Sequence, residues 1–127
     1  MSIVQRAQRT CVTTYLGALA LQFYAAGLAA FGATTFTAHA LLGYGLVIGA
    51  VTLATLTAAA RMPRRLIRRA VALVPLSILQ PILALVPRVD APALSALHTV
   101  NALLIVLVAA SVARESRPVS DLQKPLP

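Results

Sequence analysis

A helix that crosses the hydrocarbon of a bilayer needs about 20 mostly apolar residues. This chain supplies four such runs, at residues 11–31, 38–60, 66–86 and 93–113. No Asp, Glu, Lys or Arg lies well inside any of them. That pattern leaves little choice of fold: each run reads as a transmembrane helix. The connections are short, so successive helices are expected to be antiparallel neighbours. The expected architecture is all-α, an integral membrane up-down-up-down four-helix bundle over residues 1–113. The polar stretch 114–127 contains Pro118, Pro125 and Pro127 and reads as a disordered cytoplasmic tail.

Composition agrees. Hydrophobic residues make up 59% of the 127 residues and charged residues only 11%. A soluble domain carries about 25% charged residues, so lipid is the expected solvent. The net charge of +8 does not point to nucleic acid, because the arginines cluster at the ends of apolar runs rather than along a polar face with stacking aromatics. The single Cys11 cannot form an internal disulfide.

Orientation follows from where Lys and Arg fall. Arg6 and Arg9 precede the first run. Arg61, Arg64, Arg65, Arg68 and Arg69 flank the second loop, and Arg114, Arg117 and Lys124 follow the fourth run. Only Arg88, in the loop from Pro87 to Pro92, sits on the other side. The expectation is a bacterial plasma-membrane protein with both termini cytoplasmic. The basic loop then faces the anionic headgroups of the inner leaflet. A cleaved signal peptide is not expected, because the first run is long and is interrupted by Gln22 and Tyr24.

The third run carries Pro75 and Pro81, each of which deletes a backbone hydrogen bond, and Pro81 leaves the Ser77 carbonyl in need of another donor. In the second run Gly45 and Gly49 form a G-x-x-x-G pair that permits close helix contact.

The polar residues within the spans are few, and their depth is informative. Gln22, His39, Gln80, His98 and Asn101 come from four different runs, yet all fall on the outer side of the midplane. Polar side chains at membrane depth are costly and turn toward the bundle interior. One polar site in the outer half of the bundle is expected. The second and fourth helices are diagonal and parallel, and a bundle diagonal of roughly 12–14 Å suits a metalloporphyrin standing between two imidazoles. Gly43 and Ala102, each four residues after a histidine, leave room for a flat ring. His39 and His98 are thus candidate ligands of a haem b iron. Gln22, Gln80 and Asn101 are candidate groups that orient the ligands. The same residues equally allow hydrogen bonding between helices with no cofactor. A bare metal ion fits less well, since a closed zinc site wants four ligands.

The segments Leu21-Gln22-Phe23, His39 with Leu42-Gly43-Tyr44, Pro63-Arg64-Arg65, Leu79-Gln80-Pro81 and Leu97-His98-Thr99-Val100-Asn101-Ala102-Leu103 carry a resemblance. In these the chain resembles an uncharacterised family of small four-helix bacterial membrane proteins, which implies the fold but no activity. The pattern is also similar to one four-helix half of haem A synthase, where each half places one histidine on its second helix and one on its fourth. The loop 32–37 lacks that enzyme's acidic residue and cysteine pair.

The functional expectation is a b-type haem protein for electron transfer or haem handling. The alternative is a cofactor-free accessory or assembly subunit of a larger membrane complex, or a homodimer. A proton-coupled exporter is disfavoured because Asp90, Glu115 and Asp121 all lie outside the spans. Catalysis is not indicated, since no nucleophile with its base and acid is visible.

Overall fold

A computed structural model describes residues 1–85 and 92–116. Loop residues Pro87, Arg88 and Asp90, and the tail from Arg117 with Lys124, lie outside the described residues. So do the expectations of an outer arginine and a disordered tail. The chain is all-helical over the described residues: α1 Ile3–Ala30, α2 Thr37–Ala59, α3 Arg64–Leu85 and α4 Pro92–Glu115. Each helix is long and apolar enough to span a bilayer. Consecutive helices pack side by side and α1 closes on α4 along a thinner seam, leaving α1/α3 and α2/α4 as the diagonals.

Two helices start earlier than their apolar runs. α1 begins at Ile3 because Ser2 caps it: its side chain accepts from the Gln5 backbone N–H while the Gln5 side chain accepts from the Ser2 N–H. Arg6 and Arg9 therefore sit in the first turns of α1 rather than before it. With 28 residues, α1 is about 42 Å long and overreaches a hydrocarbon core of about 30 Å. α3 likewise begins at Arg64, so Arg64, Arg65, Arg68 and Arg69 are helical and the loop shrinks to a few residues around Arg61 and Pro63.

The turns after α1 and α2 share one device. At the end of α1, Gly32 adopts φ 76°, and the Gly32 and Ala33 N–H groups donate to the Ala29 and Leu28 carbonyls. At the end of α2, Arg61 takes the same role at φ 52°, with Arg61 and Met62 donating to Ala58 and Thr57. These are Schellman closures, which normally place glycine in the left-handed position.

The core is a column in which α2, α3 and α4 alternate large and small residues and α1 contributes larger ones. In α1 the inward face is Gln8, Val12, Tyr15 and Leu19; in α3 it is Leu66, Ala70, Leu73 and Ser77, each 58 residues later. In α2 it is Leu46, Ala50, Leu53 and Thr57; in α4 it is Ile105, Ala109 and Val112, followed by Ser116 just past its end, each 59 residues later. The hairpin α1–α2 and the hairpin α3–α4 thus bury the same positions in the same register. Their equivalence gives the bundle a pseudo-two-fold burial pattern, although the α1–α4 seam is thinner than the α2–α3 seam.

At the arginine end, Gln8 Nε2 donates to Thr57 Oγ1 at 3.5 Å and to Ser116 Oγ at 3.0 Å, tying three helix ends together. Arg65 pairs with Glu115 at 3.0 Å, and Arg69 pairs with the same carboxylate. Glu115 closes α4, where a helix C-terminus disfavours negative charge, and the two guanidinium groups offset that.

Candidate functional site: a histidine pair in the bundle

The repeat register extends to the polar layer. Gln22 on α1 faces His39 on α2, and 58 and 59 residues later Gln80 on α3 faces His98 on α4. In each pair the imidazole Nδ1 lies against the main-chain carbonyl of the glutamine, at 3.1 Å for His39 and Gln22 and at 3.0 Å for His98 and Gln80. A carbonyl only accepts, so Nδ1 carries the proton, and in the neutral imidazole Nε2 then carries the lone pair. The glutamine side-chain Nε2 then lies 3.5 Å from His39 Nε2 and 3.4 Å from His98 Nε2, as a donor to that lone pair.

The two pairs meet. The rings of His39 and His98 have centroids 6.2 Å apart with their planes at 59°. Phe36, just before α2, sets its ring edge-on to His39 at 6.0 Å. A cavity of about 480 Å³ opens around them, lined from all four helices. Gln22, His39, Gln80 and His98 supply its main polar groups, and Leu19, Leu46, Ala84 and Ile105 are among its apolar walls. Gly43 and Ala102 both line it. A Cβ on Gly43 would come within 3.2 Å of Gln22 Nε2, so glycine lets that amide approach α2.

Asn101 stands behind the cavity. Its Nδ2 donates to Gln80 Oε1 and, at 2.9 Å, to the Leu76 carbonyl. The donor near the Pro81 break therefore reaches Leu76, one residue before the Ser77 carbonyl that the proline position singles out.

Tyr15 and Ser77 form the floor, with their hydroxyl oxygens 3.0 Å apart and both side chains buried. Their partnership, and that of Gln8, Thr57 and Ser116, escaped the sequence reading. Tyr15 looks like one more aromatic in an apolar run, and Gln8 precedes the run altogether. The 58–59-residue repeat marks only Thr57 and Ser116 among them, by pairing one hydroxyl with the other. The arginines expected to work together divide instead: Arg65 and Arg69 hold Glu115, while Arg61, Arg64 and Arg68 carry no ion pair among the described residues.

Four spanning helices around a histidine-lined cavity define a small multi-pass membrane protein with an intramembrane polar site. The chain belongs to DUF6220, a family of unknown function whose profile matches residues 22–87. That segment holds Gln22, His39 and Gln80 and ends before α4, so His98 and Asn101 lie beyond it. No curated protein and no solved structure matches the chain.

Proposed function

We propose that the protein is a membrane-embedded b-type haem protein, with the imidazoles of His39 and His98 as axial ligands, serving electron transfer or haem handling. One observation carries this reading. Metal–imidazole bonds of about 2 Å, plus about 1 Å of ring radius on each side, put ring centres roughly 6 Å apart. The two rings stand 6.2 Å apart. Ligating histidines characteristically give their other N–H to a carbonyl, which fixes the tautomer and the ring orientation. Both Nδ1 atoms do so here. The cavity volume of about 480 Å³ falls in the range of small-molecule and cofactor sites, about 300–1,000 Å³. The resemblance to half of haem A synthase points the same way, without that enzyme's acidic and cysteine residues.

Bound haem supplies one-electron chemistry at its iron. The chain's own part would then be to hold the two imidazoles in the cavity through their Nδ1–carbonyl bonds, to keep water out with apolar walls, and to place the Gln22 and Gln80 amides beside each Nε2. A second reading, a cofactor-free accessory or assembly subunit, draws on a specific observation as well. Each Nε2 already has a glutamine amide within 3.5 Å, which satisfies the histidine without any ligand.

The reading further includes a bacterial plasma-membrane location with both termini cytoplasmic, following the basic bias. Anionic headgroups would be drawn to the arginine end, at Arg61, Arg64 and Arg68 above all, each worth about 1 kcal/mol. Protein purified from haem-replete cells should show a low-spin Soret band that either His39→Ala or His98→Ala removes. Absence of that band, with no uptake on haem titration, would leave the accessory reading standing.

A further inference from the structure

The two glutamine–histidine pairs repeat, but what stands behind them does not. Gln80 is clamped by Asn101, itself buried and anchored to the Leu76 carbonyl. The equivalent place on α2, 59 residues earlier, is Leu42, which offers no polar side-chain atom. Gln22 Oε1 is accordingly buried beside the cavity with no hydrogen-bond partner. The backbone differs in the same sense. His98 is in the second turn of α4, seventh from Pro92. His39 is third in α2, whose N-cap residue Phe36 makes no side-chain capping bond. The first four N–H groups of a helix lack intrahelical acceptors, and helix ends open at lower free energy than interiors.

We propose that the site is one-sided: His98 is the permanent axial ligand and His39 the exchangeable one. This rests on the haem reading above. When His39 Nε2 leaves the iron, a small neutral ligand that carries an N–H or O–H takes its place, with no change in electron count. The partnerless Gln22 Oε1 accepts that hydrogen. An unpaired buried acceptor is costly, and such a ligand would relieve it.

The test uses the full chain loaded with haem, with insertion of each variant checked by its membrane fraction. His39→Ala should keep haem near the wild-type stoichiometry in a high-spin form, and added imidazole should restore the low-spin spectrum. Ammonia, whose N–H groups sit on the atom that meets the iron, should bind His39→Ala at least tenfold more tightly than it binds His39→Ala/Gln22→Leu, whereas 1-methylimidazole should bind the two alike. His98→Ala should retain at least tenfold less haem. In haem-free wild type, the Nδ1 proton of His39 should exchange with solvent at least tenfold faster than that of His98. Equal haem retention by the two histidine variants, or equal imidazole proton exchange, would overturn the one-sided site and leave bis-histidine ligation intact. Wild type without haem would overturn both.

Discussion

Gly49 and Gly45 lie one turn apart on α2 and have unlike surroundings. A Cβ at Gly49 would come 3.0 and 3.3 Å from the Tyr15 ring, whereas Gly45 has nothing within 4 Å. Tyr15 cannot easily retreat, being 4% exposed and bonded to Ser77. Gly49→Ala should therefore destabilise the bundle by about 1 kcal/mol, at the low end for overpacking. Gly45→Ala should be neutral or stabilising by up to about 1 kcal/mol, the helix-propensity gain. Unfolding in mixed micelles titrated with a denaturing detergent measures both, and equal effects at the two sites would contradict the packing described. The spacing G-x-x-x-G announces a close approach in the sequence, but which glycine is used depends on where Tyr15 stands on α1, and no spacing within α2 contains that. The histidine pair was more legible, because an imidazole or amide in lipid has few places to go except inward. The carbonyls that hold each Nδ1 were not legible, since any residue supplies a carbonyl.

At the scale of the element, Arg61 is a charged residue in a glycine's place. A residue with a Cβ in the left-handed region costs about 1–2 kcal/mol, and the Schellman closure of α2 requires that region. Arg61→Gly should raise stability by about 1 kcal/mol in the same detergent titration, although it removes a positive charge from the arginine end. A loss of stability would mean that the Arg61 side chain contributes more than its backbone costs. The four apolar runs and their order were readable because hydropathy acts over about 20 residues at a time. The start of α1 was not, because it depends on the reciprocal bonds of Ser2 and Gln5, which act on single groups. For orientation, single cysteines at Gln5 and at Arg65 should both resist an impermeant thiol reagent applied to intact cells. Labelling at position 65 from outside would reverse the proposed topology.

At the scale of the whole molecule, the described residues join the two hairpins through the Tyr15–Ser77 bond, the Gln8–Ser116 bond, the packed faces of α2 on α3 and of α1 on α4, and the His39–His98 ring contact. Among the described residues, only the first two join α1 to the second hairpin by side-chain hydrogen bonds. A protease site inserted after Met62 should therefore leave the two halves associated after cleavage, co-migrating on size exclusion in mild detergent. Adding Gln8→Leu and Tyr15→Phe should weaken that association, by about 0.6 kcal/mol for each interhelical bond lost. Separation of the cut halves without those substitutions would show that the loop, rather than the interface, holds the bundle. The architecture was legible as four antiparallel helices, whereas its two-fold character was not. The repeat is carried by position and not by identity, with Tyr15 answering to Leu73 and Gln8 to Leu66. That shared register bears on ancestry. Two helices that bury one glutamine–histidine pair and dock against their own copy would already enclose a site with two imidazoles. Joining two such copies end to end in one gene releases each from serving both halves. Asn101 opposite Leu42 is the kind of divergence such a fusion allows, a change that in a self-pairing ancestor would have altered both sides at once.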